Sequence, residues 1–374
     1  MSRSSDLDRL IDRYVGIPVL FMLGMVKRKR ALPTAPKRIG IIQPTAIGDM
    51  FLITGLLNHL RNCWPEAEIH LFHGPSNAAA ISLMPVDVIP HCCKFKMPWQ
   101  VLGELRGARL DLLINCAPWT RLTAIVAAFS DAGATLGFRS PGQHAHYAYD
   151  EAVDYAPNRH EVENHRALAQ CFGPLDRYRL AVRPGNRTEL TNLPFEKTVL
   201  LHMTAGGSRA RQKSWPASNW AALAQLLAKD GWIVGFTGTV VDISAVQEVI
   251  AEAKLQPEIG ICLAGRLSLS QLAYVLPRVR LLVTIDTGIA HLASAVNGAV
   301  IGLHGPTRFE RWGSCNARAS GLNAPHPSGG YIHYGFERHP RGEEIMASLS
   351  VDEVFSAVLG RLQVPVKSAA DEIS

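Results

Sequence analysis

Paired cysteines, charge and long apolar runs are all scarce in this chain of 374 residues. The seven cysteines are odd in number, include the adjacent Cys92 and Cys93, and nowhere form a C-x-x-C. That excludes a disulfide framework of the secreted kind and fits a reducing compartment, with the thiols serving as small apolar side chains. Charged residues make up only 19% and the formal net charge is +6. Residues 1–38 hold nine Lys or Arg against three acids, which is the whole of that excess. The rest of the chain is formally neutral, so a basic face for nucleic acid is not indicated. A Walker A loop, a G-x-S-x-G elbow and a nucleotide-reading G-x-G-x-x-G are all missing. Metal chemistry has little to stand on. The D-x-D at Asp6 and Asp8 lies near the N-terminus, and His326, His333 and His339 share a loop at spacings unlike a zinc site.

The main apolar run, residues 15–26, is twelve residues long and is interrupted by Gly16, Pro18 and Gly24. A spanning helix needs about 20 apolar residues. A secretory signal puts its positive charge before the apolar run, whereas here Lys27-Arg28-Lys29-Arg30 follow it. Residues 1–36 therefore read as an extension that lies on an anionic membrane surface and is dispensable for folding. The alternative is a helix packed on the protein, with Lys27 to Arg30 solvated.

What is present in quantity is apolar sequence, 47% of residues, enough for two cores. Strand-like runs alternate with helical periodicity in both halves. Strands are expected at 37–44, 68–72, 110–115 and 134–138, with a helix at 50–61. After an aperiodic stretch the pattern restarts. Strands are expected there at 198–202, 232–237, 280–285 and 299–303, and helices at 215–229, 243–253, 269–276, 288–296 and 352–362. Residues 318–341 read as a Gly/Pro/His-rich loop. Such alternation predicts parallel sheets covered by helices, an α/β fold used twice. The expected domains are 37–180 and 196–350, joined by a linker at 181–195, with a closing helix and tail at 351–374.

In parallel sheets ligands gather at the carboxyl ends of strands, where helix N-termini present free N–H groups. Three loops fit that position. Gly48-Asp49 follows the first strand, and Asp49 is either a helix cap or a catalytic carboxylate. The run T-A-G-G-S-R-A-R-Q-K-S-W-P at 204–216 offers Thr204, Ser208 and Lys213 to a phosphate, or is a plain solvated turn. Asp286-Thr287-Gly288-Ile289-Ala290-His291 opens a helix that Thr287 can cap. Asp286 is placed to accept from sugar or ribose hydroxyls, and His291 is as readily structural as ligand-facing.

With these residues in place, the chain resembles the bacterial heptosyltransferase family, glycosyltransferase family 9, whose members have the GT-B fold. The matching stretches are 39–61, 201–216, 263–276 and 286–307, together with H-E-V-E-N at 160–164. K-x-W-P and D-T-G-x-x-H-L-x-x-A, in that order, are the more specific; G-D alone is weak. The resemblance implies two Rossmann-like domains facing each other across a cleft. It also implies inverting, metal-independent transfer of a sugar, heptose in the family, from a nucleotide-sugar such as ADP-heptose to a lipopolysaccharide core or related glycan. No cofactor is expected beyond that donor. The location it implies is cytoplasmic, peripheral on the inner face of the membrane.

By the same resemblance Asp49 is the general base and Thr204 and Lys213 meet the phosphates. Asp286, Thr287 and Gly288 hold the diphosphate and sugar, with His291 nearby. Asp242 matches the ribose-binding acid, where the family often has Glu. Arg121 and Arg139 match basic residues that face an anionic acceptor. The phosphate loop is a few residues longer than in the best-known members, and 318–341 diverges. The rival readings are a nucleotide-sugar epimerase of the same fold, which would need no acceptor, and a non-catalytic nucleotide-sugar-binding protein.

Overall fold

The computed structural model describes residues 10, 12–175, 178–187, 193–207, 209–334 and 337–364. Ser208, Asp6 and Asp8 lie outside the described residues. The chain divides into two compact units, Met1–Pro184 with His333–Glu337, and Gly185–Ile332 with Arg338–Ser374.

The first unit is built on six parallel strands. They are β1 (Arg38–Gln43), β2 (Glu68–His73), β3 (Ile89–Cys92), β4 (Leu112–Asn115), β5 (Ala134–Arg139) and β6 (Glu151–Asp154), in the order β3-β2-β1-β4-β5-β6. β1 is buried from its second residue onward, as expected of a strand covered on both faces. The helical periodicity after β1 begins earlier than expected. A helix runs over Ile47–Leu52, turns at Ile53 and continues over Thr54–Cys63. The core gathers Ile42, Phe72, Leu105, Leu113, Ala124 and Tyr149. Burial pushes the thiol of Cys93 up to about 12, consistent with cysteines that serve as apolar filler.

The N-terminal segment is not separate from this core. Helix Gly16–Val26 packs on helix Arg121–Ala128 with Leu20 fully buried. Phe21 lies 5.2 Å and 5.0 Å from the rings of His144 and Tyr147. A Cβ on Gly24 would stand 2.7 Å from the Tyr147 ring, so only glycine allows that approach. The basic cluster is divided. Lys27 and Arg30 reach the buried Asp150 at 3.3 Å and 3.0 Å, while Arg28 and Lys29 are exposed. An extension dispensable for folding is thus the wrong description of residues 12–30, because buried apolar and ionic groups tie them down.

The second unit repeats the architecture with β7 (Thr198–His202), β8 (Ile233–Thr237), β9 (Gly260–Cys262), β10 (Leu281–Ile285), β11 (Val300–His304) and β12 (Ala319–Asn323), all parallel, in the order β12-β11-β10-β7-β8-β9. β12 corrects the reading of 318–341 as loop throughout. Helix Ala217–Lys229 starts after Pro216, whose φ of −52° suits a helix entry. Trp220, Leu223 and Leu227 pack with Val234, Phe236, Val283 and Ile301. Helix Val351–Gln363 closes over the helix Ala217–Lys229 and β10, adding Val354 and Val358 to that core.

Each sheet has one switch point, where the chain leaves one side of its first strand and returns on the other. In the first unit it lies between β1 and β4, in the second between β7 and β10. Ligand crevices form at such points, beyond the carboxyl ends of the strands.

Candidate functional site

The loops after β7 and β10 flank the switch point of the second unit. β7 ends at His202, and the chain then passes Thr204, half-buried, and Gly207 at φ +89°, a conformation that favours glycine. A short helical turn, Ala210–Lys213, places Lys213 against the end of β10. Its Nζ stands 2.6 Å from Asp286 Oδ2, with side-chain exposures of 18% and 8%. Burial alone would raise the Asp286 carboxyl. Lys213, with His304 and His291 behind it, outweighs that and holds it well below the usual carboxylate range.

Directly after Asp286, Thr287 caps helix Gly288–Ala295 by accepting from the Ile289 N–H at 3.3 Å. The Ala290 N–H turns back to the Thr287 carbonyl oxygen at 3.2 Å, which leaves the Gly288 N–H of the first turn for an anion. The sequence places Asp286, Thr287 and Gly288 at the strand end, and the structure brings Lys213 to them. His291 is buried in the first turns of this helix.

Sequence reasoning missed His304 and Thr307. His304 ends β11, its Nδ1 lies 3.2 Å from Thr307 Oγ1, and its charge bears on Asp286. Both lie within the matching stretch 286–307 but outside its D-T-G-x-x-H motif. His202 was also missed. It is buried, its Nδ1 lies 3.0 Å from Thr237 Oγ1, and burial pushes it down to about 4 against the opposing pull of Asp242. Asp242 is half-buried at the head of helix Ile243–Glu252. Its Oδ2 accepts from both the N–H and the hydroxyl of Thr239 at 2.7 Å. No hydrogen bond to Oδ1 is found among the described residues.

In the first unit Asp49 occupies the third position of helix Ile47–Leu52, so it is not the cap. The cap residue is Ala46, at φ +34° and ψ 140°. Asp49 Oδ2 accepts from the Thr45 hydroxyl at 3.0 Å, and the side chain is half-buried. The turn that carries it is clamped from below by Asn77. This fully buried amide donates to the carbonyl oxygens of Gln43 and Thr45 at 3.0 Å and 2.9 Å. Gly74 completes the clamp, since a Cβ there would lie 2.4 Å from the Pro44 oxygen. Nothing local in the sequence marks Asn77, thirty residues downstream of the turn it holds. On the other side of the same switch point, Trp119 follows β4 and stands edge-on to Tyr155 and Tyr334 at 4.8 Å and 5.0 Å.

The two arginines expected to face an acceptor are engaged with their own chain. Arg121 is buried, paired with Asp12 at 2.8 Å and donating to the Gly142 oxygen at 2.9 Å. Asp12 also takes the backbone N–H of Arg121, so this pair fastens the N-terminal segment to the head of a helix. Arg139 lies at the surface with Asp154 at 2.9 Å. The H-E-V-E-N stretch is bracing. His160 caps helix Glu161–Gln170, and buried Glu161 accepts from the Tyr155 hydroxyl at 2.7 Å. Among the described residues no group of three His, Cys, Asp or Glu is placed to hold a metal ion.

The sequence profile of glycosyltransferase family 9 (heptosyltransferase) matches residues 99–329, more than half of the chain. The chain is 26% identical over 292 residues to lipopolysaccharide heptosyltransferase 2 of Escherichia coli K12, covering 72% of this chain and 83% of that one. It is 30% identical over 297 residues to lipooligosaccharide heptosyltransferase 2 of Haemophilus ducreyi, covering 72% and 84%. Among solved structures, the ADP-heptose lipopolysaccharide heptosyltransferase II of E. coli shares the fold. Its TM-score is 0.67 at 20% identity, over 90% of this chain and all of that one. The match to two Rossmann-like α/β units, the family profile and these relatives agree: the chain belongs to glycosyltransferase family 9, the heptosyltransferase family, and is a glycosyltransferase.

Proposed function

We propose that the protein transfers heptose from ADP-heptose to a lipopolysaccharide core or a closely related glycolipid, with inversion at the anomeric carbon and without a metal ion. The observation that carries this reading is the pairing of Lys213 with Asp286 beside the N-terminus of helix Gly288–Ala295, at the switch point of the second unit. A diphosphate bound there meets one ammonium, the Gly288 N–H and the positive end of the helix dipole, which supply positive potential where negative charge grows as the sugar leaves. Thr204 and Gly207 line the approach of the phosphates, and Asp242 Oδ1 accepts from a ribose hydroxyl. The relatives' names supply the donor and the acceptor class.

The acceptor hydroxyl is a poor nucleophile at neutral pH and needs a base. Asp49 takes its proton as the oxygen attacks the anomeric carbon, and the bond from that carbon to the nucleotide diphosphate breaks. A positioned carboxylate contributes about 10²–10⁴-fold to such a step. Thr45 and the Asn77 clamp hold the carboxylate in place. Trp119 offers an apolar face to a ring of the acceptor. A glycolipid acceptor places the enzyme at the cytoplasmic face of the membrane, and no helix among the described residues is long and apolar enough to cross it.

The test is transfer itself. ADP-heptose and a heptose-deficient lipopolysaccharide acceptor should give a heptosylated product of inverted anomeric configuration by NMR. ADP-heptose alone should give no converted sugar. Conversion without acceptor, or retention of configuration, would overturn the reading.

A further inference from the structure

Seven of the thirteen large apolar side chains exposed among the described residues lie within residues 10–26, so this exposure is concentrated rather than scattered. They are Leu10, Tyr14, Val15, Phe21, Met22, Met25 and Val26. On helix Gly16–Val26 the spacing separates two faces. Gly16 and Leu20 turn inward against the first unit, while Met22 at 62%, Met25 at 79% and Val26 at 75% exposure stand outward with Pro18. A helix apolar all round is ordinarily buried on every side. This one is buried on one side only. Eleven residues of helix reach about 16 Å, roughly half the hydrocarbon thickness of a bilayer.

Among described residues 12–30 the exposed charges are of one sign. Arg13 lies at one end, and exposed Arg28 and Lys29 at the other. Asp12, the acid within described residues 12–30, is turned to Arg121. A second copy docking on this face would bring cations against cations. An anionic bilayer complements both the apolar ridge and the charge.

Resting on the reading of a membrane-borne acceptor, we infer that the outer face of helix Gly16–Val26 is a preformed membrane-docking surface. Met22, Met25 and Val26 enter the headgroup layer of an anionic bilayer, and Arg28 and Lys29 meet lipid phosphates. The inner face stays fastened to the first unit by Leu20, by Asp12 with Arg121, and by Lys27 and Arg30 with Asp150. The contact is therefore rigid and fixes how this unit stands on the membrane.

The experiment is co-sedimentation of the full chain with vesicles of phosphatidylcholine alone and with added phosphatidylglycerol. Binding is measured for the native chain, for Met22→Glu/Met25→Glu and for Arg28→Ala/Lys29→Ala. The native chain should pellet with anionic vesicles. The charge variant should bind about 30-fold more weakly, since each basic residue near the surface contributes about fivefold. The methionine variant should lose binding with its melting temperature unchanged. Equal binding by native chain and variants, no binding by the native chain, or a native dimer that the methionine variant dissociates would each overturn the inference. The readout needs neither donor nor acceptor, so a chain that binds vesicles and transfers no sugar would sink the proposed function alone.

Discussion

Lys213 Nζ and Asp286 Oδ2 stand 2.6 Å apart across two adjacent strand ends, and each is the other's counter-charge where a diphosphate is expected. The pair fixes the lysine and keeps the carboxyl ionised although it is buried. Replacing Lys213 by Ala therefore does two things. It removes the proposed phosphate contact and leaves Asp286 buried without its lysine, which costs about 3 kcal/mol in such pairs. Both the melting temperature and donor affinity should fall, and the transfer rate with them. A Lys213→Ala protein as stable as the native one, with unchanged donor affinity, would remove the pair from the account.

His202 gives the protein a titration that can be followed without substrate. Burial holds its folded-state value at about 4, below the ordinary 6.5. Below pH 6.5 the unfolded chain takes up a proton that the folded one refuses, so stability is complete above 6.5 and falls as pH drops toward 4. The loss over that window is about 3 kcal/mol. Denaturant melts at pH 7 and pH 4.5 should show a smaller drop for His202→Asn than for the native chain. An identical drop would assign the pH dependence elsewhere.

The sequence made the middle of each sheet legible and its edges obscure. β1, β2, β4 and β5, and β7, β8, β10 and β11, are apolar runs that periodicity finds. The four strands it missed, β3, β6, β9 and β12, are the outermost strands of the two sheets. Edge strands are short and only partly covered. β3 contains Pro90, β6 begins and ends in acids, and β9 has three residues. At the site, residues consecutive in sequence were readable: Asp286, Thr287 and Gly288 mark themselves by following a strand. Partners supplied from elsewhere were not, as with Asn77 under the Asp49 turn. The partner of Arg121 was hidden for the same reason, because Asp12, which pairs with it, lies more than a hundred residues away.

The Asn77 clamp makes a positional prediction. Asn77→Ala leaves one buried and one half-buried carbonyl oxygen without their donor, at a cost of about 2 kcal/mol. It also frees the turn that carries Asp49. The turnover number should drop while donor affinity, which this account sets in the other unit, holds. Asn77→Asp keeps the shape but faces oxygen with oxygen, and should be no better than Ala. Native turnover in either variant would show that the turn holds itself.

Transfer is expected to survive chelation, because the ammonium of Lys213 and a helix N-terminus carry the phosphate charge in this account. Rates measured with excess EDTA should match those without it. Loss of activity in EDTA that magnesium or manganese restores would require a different electrophile.

The most direct test of the account falls on Asp49. Because the residue is not the helix cap, Asp49→Asn removes a proton acceptor without removing a capping bond, and Asn still accepts from Thr45. The melting temperature and donor affinity should stay at native values while the transfer rate falls by about 10² or more. A variant that transfers heptose at near-native rate would contradict Asp49 as the base.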